Sequence, residues 1–176
     1  MEVVLSPGSR NAPLLVSVAR EKRLKHHVIV DERSAAFFAL GIAQQTGQTV
    51  VLICTSGTAL LNYSPAVAEA YYQGIPLLVI SADRPTEWID QDDSQTIRQQ
   101  GALCNFVKKS FQLPTAITCP EDRWYANRLV NEAINLSQLG RKGPVHVNIP
   151  LREPLYDFQH ETITSERVIK TLQETP

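Results

Sequence analysis

No apolar run in this 176-residue chain approaches the roughly 20 residues that a membrane-spanning helix needs. The first residues hold no basic stretch followed by an apolar core, so neither a span nor a secretory signal is expected, and a cytoplasmic protein is. Cysteine is scarce and odd in number: Cys54, Cys104 and Cys119 argue against a disulfide scaffold and show no metal-ligand spacing. Charge of one sign is also lacking. With 17 basic and 18 acidic side chains the net charge is -1, which removes the electrostatic case for nucleic acid or an anionic membrane but leaves room for a local cluster that binds a small anion. No serine or cysteine triad can be assembled from spacing, and no second acidic residue stands at a clear metal-binding interval from Glu32, so no metal ligand is assigned. His26, His27 and His146 have no zinc-like neighbours and read as surface, packing or rim histidines.

What is present is enough apolar material for one domain, 43% of residues against 20% charged. Apolar runs at 2–5, 28–30, 49–54, 75–81, 106–113 and 145–150 read as strands. Between them, helical spacing covers 14–23, 32–45, a stretch ending at Tyr72, and 121–139, with a short helix expected near 95–100. Lys108 and Lys109 place the fifth strand at an edge. The alternation predicts an α/β fold: a three-layer open sheet, predominantly parallel, with helices on both faces. The α/β domain is expected over 1–155, and 156–176 reads as a polar tail or the start of a linker. A strand beginning at Val3 with no helix before it, together with that tail, suggests a piece of a longer chain.

The stretch from Val28 to Gly41 is the centre of this reading. Val28, Ile29 and Val30 look like a parallel strand covered on both faces, Asp31 like a helix cap, and Ala35, Ala36, Phe38, Ala39, Leu40 and Ile42 like a broad apolar side. Glu32 then falls at a strand's carboxyl end and in a helix's first turn. Right-handed crossovers bring every such junction to one rim of the sheet, where ligands are handled. Ser9 and Arg10, Glu32, Thr55 to Thr58, and Asp83 with Arg84 should share that rim. Asn11 or Ser9 can cap the first helix, with Pro13 in its early turn. Amides, a hydroxyl and a guanidinium at this entrance suit a carboxylate or phosphate. The long polar stretch from Thr86 to Leu103 is expected to cover or complete the site.

Viewed alone, Glu32 can cap its helix, bind a metal, act as a general base, or hydrogen-bond a heteroaromatic nitrogen in an apolar slot. Thr55, Ser56 and Gly57 offer small side chains and close backbone approach for a flat ligand, although a helix cap accounts for Ser56 nearly as well.

The ordered set is more specific than its parts. Ser6-Pro7-Gly8-Ser9-Arg10-Asn11, Asp31-Glu32-Arg33-Ser34-Ala35-Ala36-Phe37-Phe38, Thr55-Ser56-Gly57-Thr58-Ala59, Ser81-Ala82-Asp83-Arg84-Pro85 and Gln95-Thr96-Ile97-Arg98-Gln99 together resemble the N-terminal pyrimidine-binding domain of the menaquinone-biosynthesis synthases, a branch of the thiamin diphosphate enzyme superfamily. The resemblance implies a transferase acting with thiamin diphosphate and Mg²⁺, the diphosphate and metal site lying in a C-terminal domain absent from this chain. It implies that Glu32 is catalytic and contacts N1′ of the aminopyrimidine, with Thr55, Ser56 and Gly57 lining the slot. It further implies that Ser9, Arg10, Arg84 and Gln95 bind substrate. The implied reaction decarboxylates 2-oxoglutarate and adds the resulting succinic-semialdehyde carbanion equivalent to isochorismate, in a homodimer or dimer of dimers. The isolated domain is expected to be inactive. Another thiamin diphosphate-dependent 2-oxo acid enzyme, a nucleotide- or anion-binding regulatory module, and a structural interaction domain are the alternatives.

Overall fold

Val3, Val4 and Leu5 are consecutive and all buried, so the strand they form must be covered on both faces. The computed structural model describes residues 1–158 and 169, and shows how that cover is built. The elements run β1 (Glu2–Leu5), α1 (Ala12–Arg20), β2 (Lys25–Val28), α2 (Glu32–Thr46), β3 (Val50–Cys54), α3 (Thr58–Asn62), α4 (Ser64–Gln73), β4 (Leu77–Asp83), β5 (Ser110–Gln112), α5 (Pro120–Gln138) and β6 (Val145–Pro150). The six strands form one sheet in the order β2-β1-β3-β4-β6-β5, and every neighbouring pair is parallel.

Alternate residues along the strands feed two cores, as the pleat requires. Val4, Leu52 and Val79 pack with α2 and α4, whereas Val3, Val51, Leu78 and Val147 pack with α5. Fully burying a side chain such as Leu52 is worth about 2 kcal/mol. Helix α2 meets the sheet through Ala35, Ala36, Ala39 and Ala43, small residues that allow close approach. Asp31 caps it, accepting from the Ser34 amide at 2.8 Å, and Gly47 ends it with a left-handed φ of 66°.

Several expectations change. The strand expected over 28–30 runs instead from Lys25 to Val28 and lies at the sheet edge, so Val28 and Val30 are 61% and 76% exposed. Phe38 likewise is 43% exposed and meets His27 edge to face. The centre of the sheet is β3 with β4, not this stretch. No helix forms near 95–100; Asp90, Asp92 and Gln95 take positive φ values, which break helical continuation. The fifth strand shrinks to Ser110–Gln112, at the edge that the lysines indicated. Of the tail expected from 156 onward, residues 159–168 and 170–176 lie outside the described residues.

Candidate functional site

Strand order reverses direction between β1 and β3, and in open parallel sheets the crevice above such a point is where ligands bind. The loop after β1 is braced from within. Asn11 Nδ2 donates to Ser6 O at 2.8 Å and Asn11 Oδ1 accepts from the Gly8 amide at 2.9 Å. Asn11 stands at the helix N-cap, yet its side chain makes no cap bond. The β3 turn presses against this loop: a Cβ on Gly8 would stand 2.5 Å from Thr55 Cβ, so only glycine allows the two turns to touch.

Arg10 and Arg84 come together over this crevice. They line a cavity of about 420 Å³ with Pro85, Trp88, Asp93, Arg152 and Glu153. Arg10 is buried; its Nη1 donates to Leu151 O at 2.8 Å and its Nη2 to Glu153 Oε1 at 3.3 Å. Its Nε has no partner among the described residues. Burial first, and the Arg84 charge second, hold the Arg10 pKa below its ordinary value. Arg84 donates to Asp93 at 2.5 Å, to Ser94 O at 2.7 Å and to Ser56 Oγ at 3.1 Å, and that pairing lowers the Asp93 pKa. Each of the three guanidiniums in this lining is paired, Arg10 with Glu153, Arg84 with Asp93 and Arg152 with Glu87. An added anion would share or displace these carboxylates, and the unpartnered Arg10 Nε is the donor left over among the described residues.

Glu32 is half-buried in the first turn of α2. Asp31 makes the cap bond, which retires the reading of Glu32 as the cap. Among the described residues no hydrogen bond or ion pair engages the Glu32 carboxylate. Its charge reaches the end of β3. Cys54 is held up mainly by burial and secondarily by Glu32, and burial dominates the upward shift of the nearby Tyr63 hydroxyl. The Tyr63 hydroxyl lies 2.9 Å from Ser6 Oγ and 3.0 Å from Ile53 O; its one proton serves the Ile53 carbonyl when the Ser6 hydroxyl donates to it, tying the β1 and β3 ends together.

The remaining expected residues fall in two groups. Thr55, Ser56 and Gly57 are buried under the chain's own loop. Ser56 Oγ is engaged by Arg84, and the Gly57 amide donates to Gln99 Oε1 at 2.7 Å. Gly57 has φ 82°, and a Cβ there would come within 2.7 Å of Gln95 O. Gln95 thus rests on the turn, exposed and with φ 56°. Ser9 is exposed. Glu32, Ser9 and Gln95 do not line the two-arginine cavity.

The stretch 86–103, expected to cover or complete the site, supplies Trp88 and Asp93 to this cavity and Gln99 to the β3 turn, whereas Arg152 and Glu153 are not among the expected residues. Leu151 to Glu153 directly follow β6, so the rule that gathers strand ends on one rim was a sufficient signal for them.

A model of the family described as thiamine pyrophosphate enzyme, N-terminal TPP binding domain, matches residues 1–103. The chain belongs to that family. Its similarity extends further along specific relatives. A 2-succinyl-5-enolpyruvyl-6-hydroxy-3-cyclohexene-1-carboxylate synthase of Porphyromonas gingivalis is 53% identical over 173 residues, covering 98% of this chain and 30% of the relative. The synthase of the same name from Cytophaga hutchinsonii is 57% identical over 155 residues, 88% of this chain and 28% of the relative. That of Bacteroides fragilis is 52% identical over 172 residues, 98% and 31% respectively. The chain therefore spans about 30% of the length of these relatives. Membership explains the parallel sheet with helices on both faces. Among the described residues no helix is long and apolar enough to cross a membrane.

The cofactor named by the family can be tested against these groups. A half-buried carboxylate with no hydrogen-bond or ion-pair partner among the described residues suits a ring nitrogen that shares a proton. The Gly57 amide is spent on Gln99, while Ser56 Oγ accepts from Arg84 and keeps its own proton, so the turn offers a wall with a hydroxyl donor rather than both contacts. No group of three His, Cys, Asp or Glu residues that could hold a metal occurs among the described residues.

Proposed function

We propose that this domain is the pyrimidine-binding part of a longer cytoplasmic synthase that joins 2-oxoglutarate to isochorismate, using thiamin diphosphate and Mg²⁺. The observation that carries this reading is Glu32: a partly buried carboxylate, relieved of capping by Asp31, on a chain 53% identical to a synthase of that name. When bound, the cofactor supplies the carbanion chemistry that releases carbon dioxide from 2-oxoglutarate and passes the four-carbon remainder to isochorismate. Glu32 hydrogen-bonds N1′ of the aminopyrimidine and holds the proton that this ring must share. The buried turn Thr55 to Gly57 forms the wall of the slot. Arg10 and Arg84 receive substrate carboxylates, with Ser9 and Gln95 as polar contacts at the edge; two fixed guanidiniums suit substrates rich in carboxylates. The diphosphate and Mg²⁺ are held by a separate C-terminal domain, and the full enzyme is a homodimer or dimer of dimers. The domain boundary lies near residue 155, with 156–176 leading toward the next domain.

The test is consumption of isochorismate by the full-length protein with 2-oxoglutarate, thiamin diphosphate and Mg²⁺. Turnover that collapses in Glu32→Gln, while the fold and substrate binding persist, supports the reading. Turnover with pyruvate or another 2-oxo acid in place of 2-oxoglutarate reassigns the protein to a different thiamin diphosphate enzyme. Inactivity with every 2-oxo acid removes the enzyme reading.

A further inference from the structure

Gln99 is 1% exposed, and its amide joins three elements. Oε1 accepts from the Gly57 amide at 2.7 Å, while Nε2 donates to Ala82 O at 3.1 Å and to Asn148 Oδ1 at 2.9 Å. Gly57 offers only a donor and Ala82 only an acceptor, so the side-chain amide has one allowed orientation. Asn148 is fixed in the same way. Its Nδ2 donates to Asp83 Oδ2 and Gln112 Oε1 at 2.7 and 2.8 Å, and its Oδ1 also accepts from Ser81 at 2.7 Å.

This saturated amide lies in the segment that carries the expected substrate contacts. Gln95 packs directly on Gly57, and Arg84 reaches Ser56 beside it. The segment from Arg84 to Gln99 is therefore fastened to the Thr55–Gly57 turn at both ends, by the Arg84 guanidinium and by the Gln99 amide. Gln95, held between them at a positive φ, has its position set by that register.

We infer that Gln99 is a positioning residue for the acceptor substrate: its amide fixes the register of the 84–99 segment on the Thr55–Gly57 turn, and so places Gln95. The inference rests on the synthase reading above. Gln95 can serve a hydroxyl, which isochorismate carries and 2-oxoglutarate lacks, so the effect falls on the second substrate. A merely structural glutamine would lower stability and both stages of the reaction together.

The test uses the full-length enzyme and two variants, with folding followed by circular dichroism. In Gln99→Met the shape is kept and both ends of the amide are lost. KM for isochorismate should rise about tenfold, while carbon dioxide release from 2-oxoglutarate without isochorismate stays within about twofold of wild type. In Gln99→Glu a protonated carboxyl keeps the acceptor for the Gly57 amide and supplies one donor, for Ala82 O or Asn148 Oδ1, whereas an ionised carboxylate faces both acceptors with none. Its KM for isochorismate, divided by the wild-type value at the same pH, should rise as pH is raised from ~6 to ~9, because burial favours the protonated carboxyl and ionisation removes its remaining donor. Asp83, Asp90 and Arg98 border the neighbouring cavity and His146 lies beyond Ser81, but these groups are common to both proteins and largely cancel in the ratio. Unchanged KM ratios at both pH values overturn the inference, as does a parallel fall in both stages with KM constant. If Gln99→Met does not fold, the pH comparison within Gln99→Glu decides. Wild-type inactivity toward both substrates is a separate result, which removes the synthase reading and this inference with it.

Discussion

Two parts of one rim treat their polar groups in opposite ways. At the ends of β4 and β6, the Asn148 and Gln99 amides spend their donors and acceptors on neighbours. At the start of α2, Asp31 is spent on a cap while Glu32, one residue on, has no hydrogen-bond or ion-pair partner among the described residues. A saturated buried network fixes geometry, because any other arrangement strands a polar group away from water. A carboxylate left unsatisfied at a strand end is available to a visitor. The rim thus divides into a scaffold half whose polar groups are satisfied and an open half whose carboxylate is free to meet a ligand, with Arg84 tying the β4 end to the β3 turn through Ser56.

The scaffold half predicts the largest loss of stability. Asn148→Leu removes the amide and leaves Asp83, Gln99, Ser81 and Gln112 short of partners, so unfolding free energy should fall by about 3 kcal/mol or more in urea denaturation. A loss near that of an ordinary surface substitution would show that the network is not saturated as described.

Acid should open the same half. His146 is fully buried and burial lowers its pKa to about 4. Ser81 donates to Asn148, so it must accept from His146 Nε2, leaving Nδ1 to accept from Ser110. This is the neutral ring. The unfolded chain takes up the proton near the ordinary value of 6.5 and the folded one only near 4, so stability is full above 6.5 and drains away as pH falls toward 4, by about 3 kcal/mol. Asp83, whose pKa is raised mainly by burial, acts in the opposite sense: its ionisation costs stability as pH rises through its folded value. The difference between wild type and His146→Asn isolates the histidine, and the variant should show the weaker acid dependence. Equal slopes for the two proteins would contradict the assignment.

The smallest effect is expected outside the network. Arg98 pairs with Asp90 at 2.8 Å, but the two side chains are 79% and 55% exposed. Arg98→Ala should leave thermal stability unchanged within error. A clear loss would extend the scaffold half to the outer loop.

Much of the frame was legible because it depends on local chemistry. The Asp31 cap, the left-handed Gly47, and the limits of α5 and β6 follow from residues within a turn of each boundary. The exposure of Val28 and Val30 was not, because Val28 ends an edge strand and Val30 lies beyond it, and an apolar triplet fixes neither the limits of a strand nor its place in the order. The missing helix near 95–100 reflects tertiary contacts that hold Gln95 at positive φ over Gly57. The role of Gln99 has no local signal in the sequence, since its partners Gly57 and Asn148 lie 42 and 49 residues away. The arginines of the cavity were recognisable by type and loop, whereas the commitment of Ser56 and Gly57 to the chain's own loop was not.

The most direct measurement of the central claim is a crossed comparison of Asp31→Ala and Glu32→Gln in the full-length protein, with unfolding midpoint and isochorismate turnover read for both. The account predicts that Asp31→Ala lowers the midpoint by about 1 °C and keeps turnover. It predicts that Glu32→Gln keeps the midpoint and lowers turnover by about 10²-fold or more. Turnover retained in Glu32→Gln, or lost equally in both variants, would contradict the division of labour between these adjacent carboxylates.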